Sequence, residues 1–225
     1  MLPAPAAPSS AFRIHLDSLR IPCAVVDYRA GAVLYRQADV CDSVMHVESG
    51  RVRLSVRERG GREGLIGLIG PGGFLGEEAL AGLPERRETA TAITAVTVLV
   101  VAKARMLRLV HTDSVVSDLL VAHLLARGTS LEHGLSDQLL LSSEQRVARC
   151  LLELAECRCH LGRTCVLPPV SQSVIAEMAG TTRSHVNMFM AKFRKLGLIQ
   201  QRAGALLVTP ALLAVIDGQP VHDPL

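Results

Sequence analysis

The sequence predicts an α+β fold: an N-terminal antiparallel β-roll or jelly roll, then a long dimerisation helix, then a C-terminal winged helix-turn-helix. Three stretches predict it. In "SGRVRLSVRERGGRE" the apolar Val52, Leu54 and Val56 alternate with Arg51, Arg53, Ser55 and Arg57, the period of a strand with one wet face. After Lys103 the apolar period switches from two to that of a helix. Near the end, "AGTTRSHVNMFM" (179–190) turns on a glycine, caps on a threonine and only then begins an apolar stripe.

Bulk properties set the frame. At 225 residues the chain has room for one large or two modest domains. A net charge of +3 does not by itself point to nucleic acid, so the distribution of charge matters more. Residues 1–10 are rich in Ala, Pro and Ser and hold no Lys or Arg, which reads as a flexible tail and not as a signal peptide. The longest aliphatic run, near 93–102, is too short to span a bilayer, so no membrane partner is expected. Six cysteines without a secretion signal point to a reducing cytoplasm.

Residues 11–110 read as the β-roll, with short strands from about Ile21 to Ala102. Gly60-Gly61 supplies a hairpin turn, "LIGLIGPGGFLGEEAL" a strand, a turn and a glycine before a carboxylate pair, and "TATAITAVTVLVVAKA" a central strand. His46 falls in an alternating strand. Residues 111–137 read as the dimerisation helix, with Asp113 as its N-cap. Val116, Leu120, Leu124, Arg127 and Leu131 recur at four, four, three and four, a seam that suits a dimer axis or a helix packed on its own barrel. Gly128 and Gly134 argue for an interruption, and an unbroken stretch of roughly 22 residues spans about 33 Å.

Residues 138–225 read as the winged helix-turn-helix. "SSEQRVARCLLELAE" opens it with a helix capped by Ser142 or Ser143. Ser171 caps a short helix running to about Ala179, Gly180 makes the turn, and Thr182 caps the next helix. In that helix Val186, Phe189, Met190, Phe193 and Leu196 share the inner face. Ser184, Met188 and Lys195 point away, with Arg183 at the tip. From Ser171 to Arg202 there are five Lys/Arg against the single acid Glu177, so the weak net charge hides a basic end. "GLIQQRAGALLVTP" supplies two wing strands around Ala203-Gly204. This is the pattern of a recognition helix for the major groove of double-stranded DNA. Arg183 suits a bidentate contact to guanine, Ser184, His185 and Asn187 suit base edges, and Thr182 and Lys192 suit phosphate.

"SQSVIAEMAGTTRSHVNMFMAKFRKLGLI" and "GPGGFLGEEAL", in this order along almost the entire chain, resemble the CRP/FNR family of bacterial transcription regulators. The resemblance implies a cyclic-nucleotide-binding-type β-roll, a homodimer through the long helix, a pseudo-palindromic operator and RNA polymerase as partner. It also implies a guanine contact for Arg183. Cyclic-AMP-binding members have a Gly-Glu pair on the ribose and, about ten residues on, Arg-Ser and a small residue on the phosphate. Here Gly76-Glu77 is followed by "PERRETATA". Aligning the strand makes Arg86 the phosphate arginine, whereas spacing from Glu77 makes it Arg87. A cyclic nucleotide is thus the candidate cofactor, held by Gly76, Glu77, Arg86 and Arg87. Yet Glu88 repels an anion in either alignment, and the helix residues expected at adenine become Leu131-Glu132. The competing account of Glu77 and the arginines is a structural ion pair at a barrel turn.

"CRCHLGRTC" gathers Cys157, Cys159, His160 and Cys165, soft ligands for zinc or an iron–sulfur centre, although buried reduced cysteines without metal are the commoner case. The alternatives to a regulator of this type are a nucleotide-binding module acting on a protein partner, or a regulator that responds to metal or redox through this segment. An enzyme is not expected, because no catalytic His/Glu, Ser-His-Asp or Cys-His constellation is evident.

Overall fold

The computed structural model describes residues 11–58, 60–61, 63–155, 164–167, 170–202 and 205–219. The chain divides into two compact units, 1–131 and 132–225. The first opens with a helix that the alternation of strands does not announce, α1 (Ala11–Ser18). Its Phe12 and Leu16, one turn apart, are buried.

Eight strands follow: β1 (Ala24–Tyr28), β2 (Val33–Tyr35), β3 (Ser43–Ser49), β4 (Val52–Arg57), β5 (Glu63–Ile69), β6 (Phe74–Leu75), β7 (Thr89–Ala92) and β8 (Val96–Ala102). They form two four-stranded antiparallel sheets, ordered β1-β8-β3-β6 and β2-β7-β4-β5. Strand β3 shows why two cores arise. Its Val44 faces a cluster with Phe12, Leu16, Phe74, Leu99 and Met106, while Met45 and Val47 face one with Leu54, Leu75, Val96 and Val98. A strand with apolar side chains on both faces must be covered on both. Burying each such Leu or Phe contributes about 1.5–3 kcal/mol. His46 is buried, with Nδ1 2.8 Å from Glu48 Oε1 and its ring between Phe12 and Phe74.

Helix α2 (Lys103–Thr112) is followed by α3 (Ser114–Leu140), the two meeting at a bend of 106°. Asp113 forms the corner: its Oδ1 accepts from the Val116 backbone N–H at 3.0 Å and starts α3. Helix α3 is continuous for 27 residues, through both Gly128 and Gly134. No single described helix is long and apolar enough to cross a membrane. Of the two readings of the seam, packing on the barrel holds at its start. Val116 and Leu120 belong to the β-roll core, and the outward stripe lies beside them, at Val121, Leu124, Leu131, Leu135 and Leu139, all exposed.

The second unit packs α4 (Ser143–Leu154), α5 (Gln172–Ala179), α6 (Arg183–Lys195) and the short α7 (Leu213–Ile216) with a sheet ordered β10-β11-β9. Its strands are β9 (Cys165–Leu167), β10 (Ile199–Arg202) and β11 (Ala205–Val208). Ser142 caps α4 with a full capping box, exchanging bonds with Gln145. Val147, Leu151, Ile175, Val186, Phe193 and Ile199 are fully buried in this unit.

Candidate nucleic-acid interface and effector pocket

The turn between α5 and α6 is held from three sides. Ser171 Oγ accepts from the Val174 N–H at 3.4 Å to start α5. Gly180 ends it at φ 57°, a left-handed conformation that favours glycine. Thr182 Oγ1 accepts from the His185 N–H at 3.3 Å to start α6. From α4, Arg146 donates to the carbonyls of Ala179 (2.7 Å) and Leu141 (2.7 Å), placing a cation at the C-terminal end of α5.

Helix α6 then has two distinct faces. Val186, Met190 and Phe193 are buried, while Arg183, Ser184, His185, Asn187, Met188, Lys192 and Lys195 are exposed. Among the described residues no hydrogen bond or ion pair holds the Arg183 or Ser184 side chain. His185 Nδ1 lies 3.1 Å from Thr181 Oγ1, and Asn187 Oδ1 accepts from Gln172 Nε2 at 3.1 Å, which orients its amide. Lys192 Nζ is 2.7 Å from Glu144 at the first turn of α4, so its charge is shared within the unit. Met188, 55% exposed, is the one large apolar side chain on this face and was not among the residues assigned a contact. Strands β10 and β11 pair from Ile199↔Val208 to Arg202↔Ala205, with Gln200, Gln201 and Arg202 exposed.

In the β-roll, burial alternates along "RRETATA", through a bend at Arg87 and Glu88 and into β7. Arg86, Glu88, Ala90 and Ala92 are buried, and Arg87 is exposed on the other side. Arg86, 3% exposed, donates to the Ser43 carbonyl (2.8 Å), Ser43 Oγ (3.0 Å) and the Gly76 carbonyl (3.3 Å). Its guanidinium lies 4.4 Å from the centre of the Tyr35 ring and 3.9 Å from Glu78. Glu88, 4% exposed, accepts from Tyr35 Oη at 3.3 Å and from Arg127 Nη2 of α3 at 2.9 Å. Arg127 also bonds Glu77 through Nη1. Burial raises the Glu77 and Glu88 carboxyls, and Arg127 pulls both back down in part. Burial alone would lower Arg127, but its two carboxylates outweigh that and raise it. Beside this network a groove of about 420 Å³ runs between the 66–73 turn and α3, lined by Ile69, Leu119, His123 and Arg127 among others.

Known proteins share this architecture. Residues 25–113 match the family model of the cyclic nucleotide-binding domain, and residues 145–215 that of the Crp-like helix-turn-helix domain. The cyclic AMP receptor protein of Thermus thermophilus is 31% identical over 189 residues, 83% of this chain and 84% of that protein.

The chain belongs to the CRP/FNR family of transcription regulators.

The CRP-like cAMP-activated global transcriptional regulator of Mycobacterium tuberculosis is 26% identical over 186 residues, 82% of this chain and 83% of that one. The solved structure of a CRP/FNR-family transcriptional regulator from Thermus thermophilus matches with a TM-score of 0.70 at 25% identity, covering 88% of this chain and all of that one. This CRP/FNR chain is therefore a DNA-binding transcription regulator and not an enzyme.

Its β-roll departs from what a cyclic phosphate needs. Arg86, the inward arginine, already serves two backbone carbonyls, and Arg87 faces outward. The next inward position holds a carboxylate, Glu88, where a cyclic phosphate calls for a donor or a small residue. The residues present do not fit the cyclic nucleotide. Gly76, by contrast, has a clear structural role. At φ 72° a Cβ there would lie 1.8 Å from Arg86 Nη1 and 3.1 Å from the Ser43 carbonyl. Gly76→Ala is expected to displace Arg86 and cost about 2–3 kcal/mol by combining left-handed strain with a lost buried bond. Thermal denaturation of the purified variant reads this as a fall in the melting temperature.

Of the cysteine candidates, Cys157, Cys159 and His160 lie outside the described residues. Cys165 starts β9 and is disulfide-bonded. Cys150 is buried in α4, which pushes its thiol up to about 12. Among the described residues no group of three His, Cys, Asp or Glu could hold a metal.

Proposed function

We propose that this regulator binds a pseudo-palindromic operator as a homodimer in the cytoplasm and acts there on RNA polymerase. The observation that carries the reading is helix α6, capped by Thr182, with Arg183 and Ser184 bare on its exposed first turn. An N-terminus of this kind offers amides to phosphate while its outer side chains reach base edges. Arg183 reads guanine, and Ser184, His185 and Asn187 read or position the neighbouring bases. Thr182 and Lys192 touch phosphate, Lys192 by exchanging Glu144 for the DNA backbone. The exposed stripe of α3 from Val121 to Leu139 supports the dimer, since an apolar face of this kind calls for a partner surface.

Met188 adds an apolar contact suited to a thymine methyl. Met188→Ala is expected to lower affinity by about tenfold for the preferred operator and to flatten discrimination at one thymine per half-site. Quantitative binding to a panel of operator variants checks this.

The dimer reading has its own test. Two rigidly joined recognition helices demand half-sites about one helical turn apart. Inserting about 5 base pairs between half-sites turns one of them to the opposite face of the duplex and should abolish tight binding. Binding that survives the insertion would show that the two half-sites are not read together.

A further inference from the structure

We infer that the β-roll of this chain is closed by its own side chains: Glu88 supplies the anion that Arg127 binds, so the pocket rejects cyclic nucleotides and DNA binding needs none. The regulatory half of this inference rests on the DNA-binding reading above; the pocket half does not.

Most of the polar groups around the site are already paired with one another, with Arg86 Nε, Glu77 Oε2 and Glu78 Oε1 the buried atoms there that have no hydrogen-bond partner among the described residues. Arg86 and Glu88 lie just ahead of β7, with Glu88 immediately before its first residue Thr89, and both side chains are almost completely buried. Arg86 is engaged by Ser43, Gly76 and the Tyr35 ring. The other guanidinium, Arg127, is shared between Glu77 and Glu88. Glu77, Glu78 and Glu88 thus face two guanidiniums, Arg86 and Arg127. An incoming cyclic phosphate would add a further negative charge beside Glu88 in a buried setting, where like charges repel most. It would also have to take Arg127 or Arg86 from partners already in place.

The same bonds do mechanically what a bound ligand could do. Arg127 belongs to α3, while Glu77 and Glu88 belong to the β-roll. Their pairing ties helix to barrel within the first unit with no small molecule between them. Tyr35 of the neighbouring strand β2 also donates to Glu88. Outside the cell of residues just named, Arg87 projects away and contributes nothing to the closed site.

The experiment is isothermal titration of the full-length protein with cyclic AMP and with cyclic GMP, beside the variant Glu88→Ala. Wild type is expected to show no saturable binding up to about 1 mM, the limit of weak specific association. The variant, with the carboxylate gone and Arg127 released from it, is expected to gain at least about tenfold in affinity for one of the two nucleotides. Should truncation unfold the protein, Glu88→Gln keeps the side chain's shape while removing its charge, and serves in its place. Saturable binding by wild type, or a rise in its melting temperature with nucleotide, overturns the inference. A folded variant that still binds neither nucleotide overturns the role given to Glu88. Operator binding is measured on the same samples without nucleotide. Its loss in wild type, with the pocket still refusing nucleotide, would sink the DNA-binding reading and leave the closed pocket standing.

Discussion

Arg183→Ala is expected to lower operator affinity by about 10- to 100-fold while leaving the fold intact, and to relax base preference at one position of each half-site. The side chain is exposed and held by nothing else among the described residues, so truncation removes no internal contact. A bidentate arginine–guanine pair discriminates by about 1–3 kcal/mol, and a homodimer loses two of them. Lys192→Ala provides the contrast. It should weaken binding evenly across sequences and reduce the salt slope by about one per subunit. If the two variants respond alike across operator variants and salt concentrations, the division of α6 into base-reading and phosphate-binding residues is wrong.

Arg127→Met is expected to be among the most destabilising single changes in the first unit. It leaves Glu77 and Glu88 buried without their shared cation, and breaking a buried pair from one side costs about 3–5 kcal/mol. The loss should depend on pH, with a definite sign. Burial already raises both carboxyls above their ordinary value of 4.5, and Arg127 is the group that holds them down. Without it both rise further, so the folded state binds more protons than the unfolded chain. Stability of the variant should therefore be greatest near the unfolded carboxylate value and fall as pH rises through the raised folded values. The groups facing these carboxyls, Glu78, Tyr35 and Arg86, remain in both proteins, so the difference from wild type isolates Arg127. Melting curves from about pH 5 to pH 8 check it. A variant that loses stability equally at both ends would show that packing, not charge, is what Arg127 contributes.

Local chemistry made much of this legible before any coordinates. Ser171 and Thr182 each cap the helix they were expected to start, and of the two serines offered for α4 it is Ser142 that caps, because a short hydroxyl ahead of an apolar period favours a helix start. The inner face of α6 follows the same logic, since Val186, Met190 and Phe193 recur at helical spacing. Other features depend on contacts that spacing does not encode. Helix α1 has only two apolar anchors, Phe12 and Leu16, too few to stand out beside a loose tail. The seam of α3 serves two surfaces that spacing does not separate: Val116 and Leu120 pack on the β-roll core, while Leu124 and Leu131 are exposed. Arg127 was counted in that seam, where a lone cation among leucines was the available sign that it turns elsewhere. That Arg86 and Glu88 are buried while Arg87 is exposed does not follow from a strand period, because β7 begins only at Thr89 and residues 87–88 form a bend.

These strands of argument meet in one claim: a regulator that reads DNA through α6 with a β-roll that has no place for a cyclic phosphate. Selection of bound duplexes from random DNA, with and without cyclic AMP at fixed near-physiological salt, tests it most directly. The account predicts the same palindromic motif, containing a guanine set by Arg183, in both arms. A motif recovered only in the presence of cyclic AMP would contradict it.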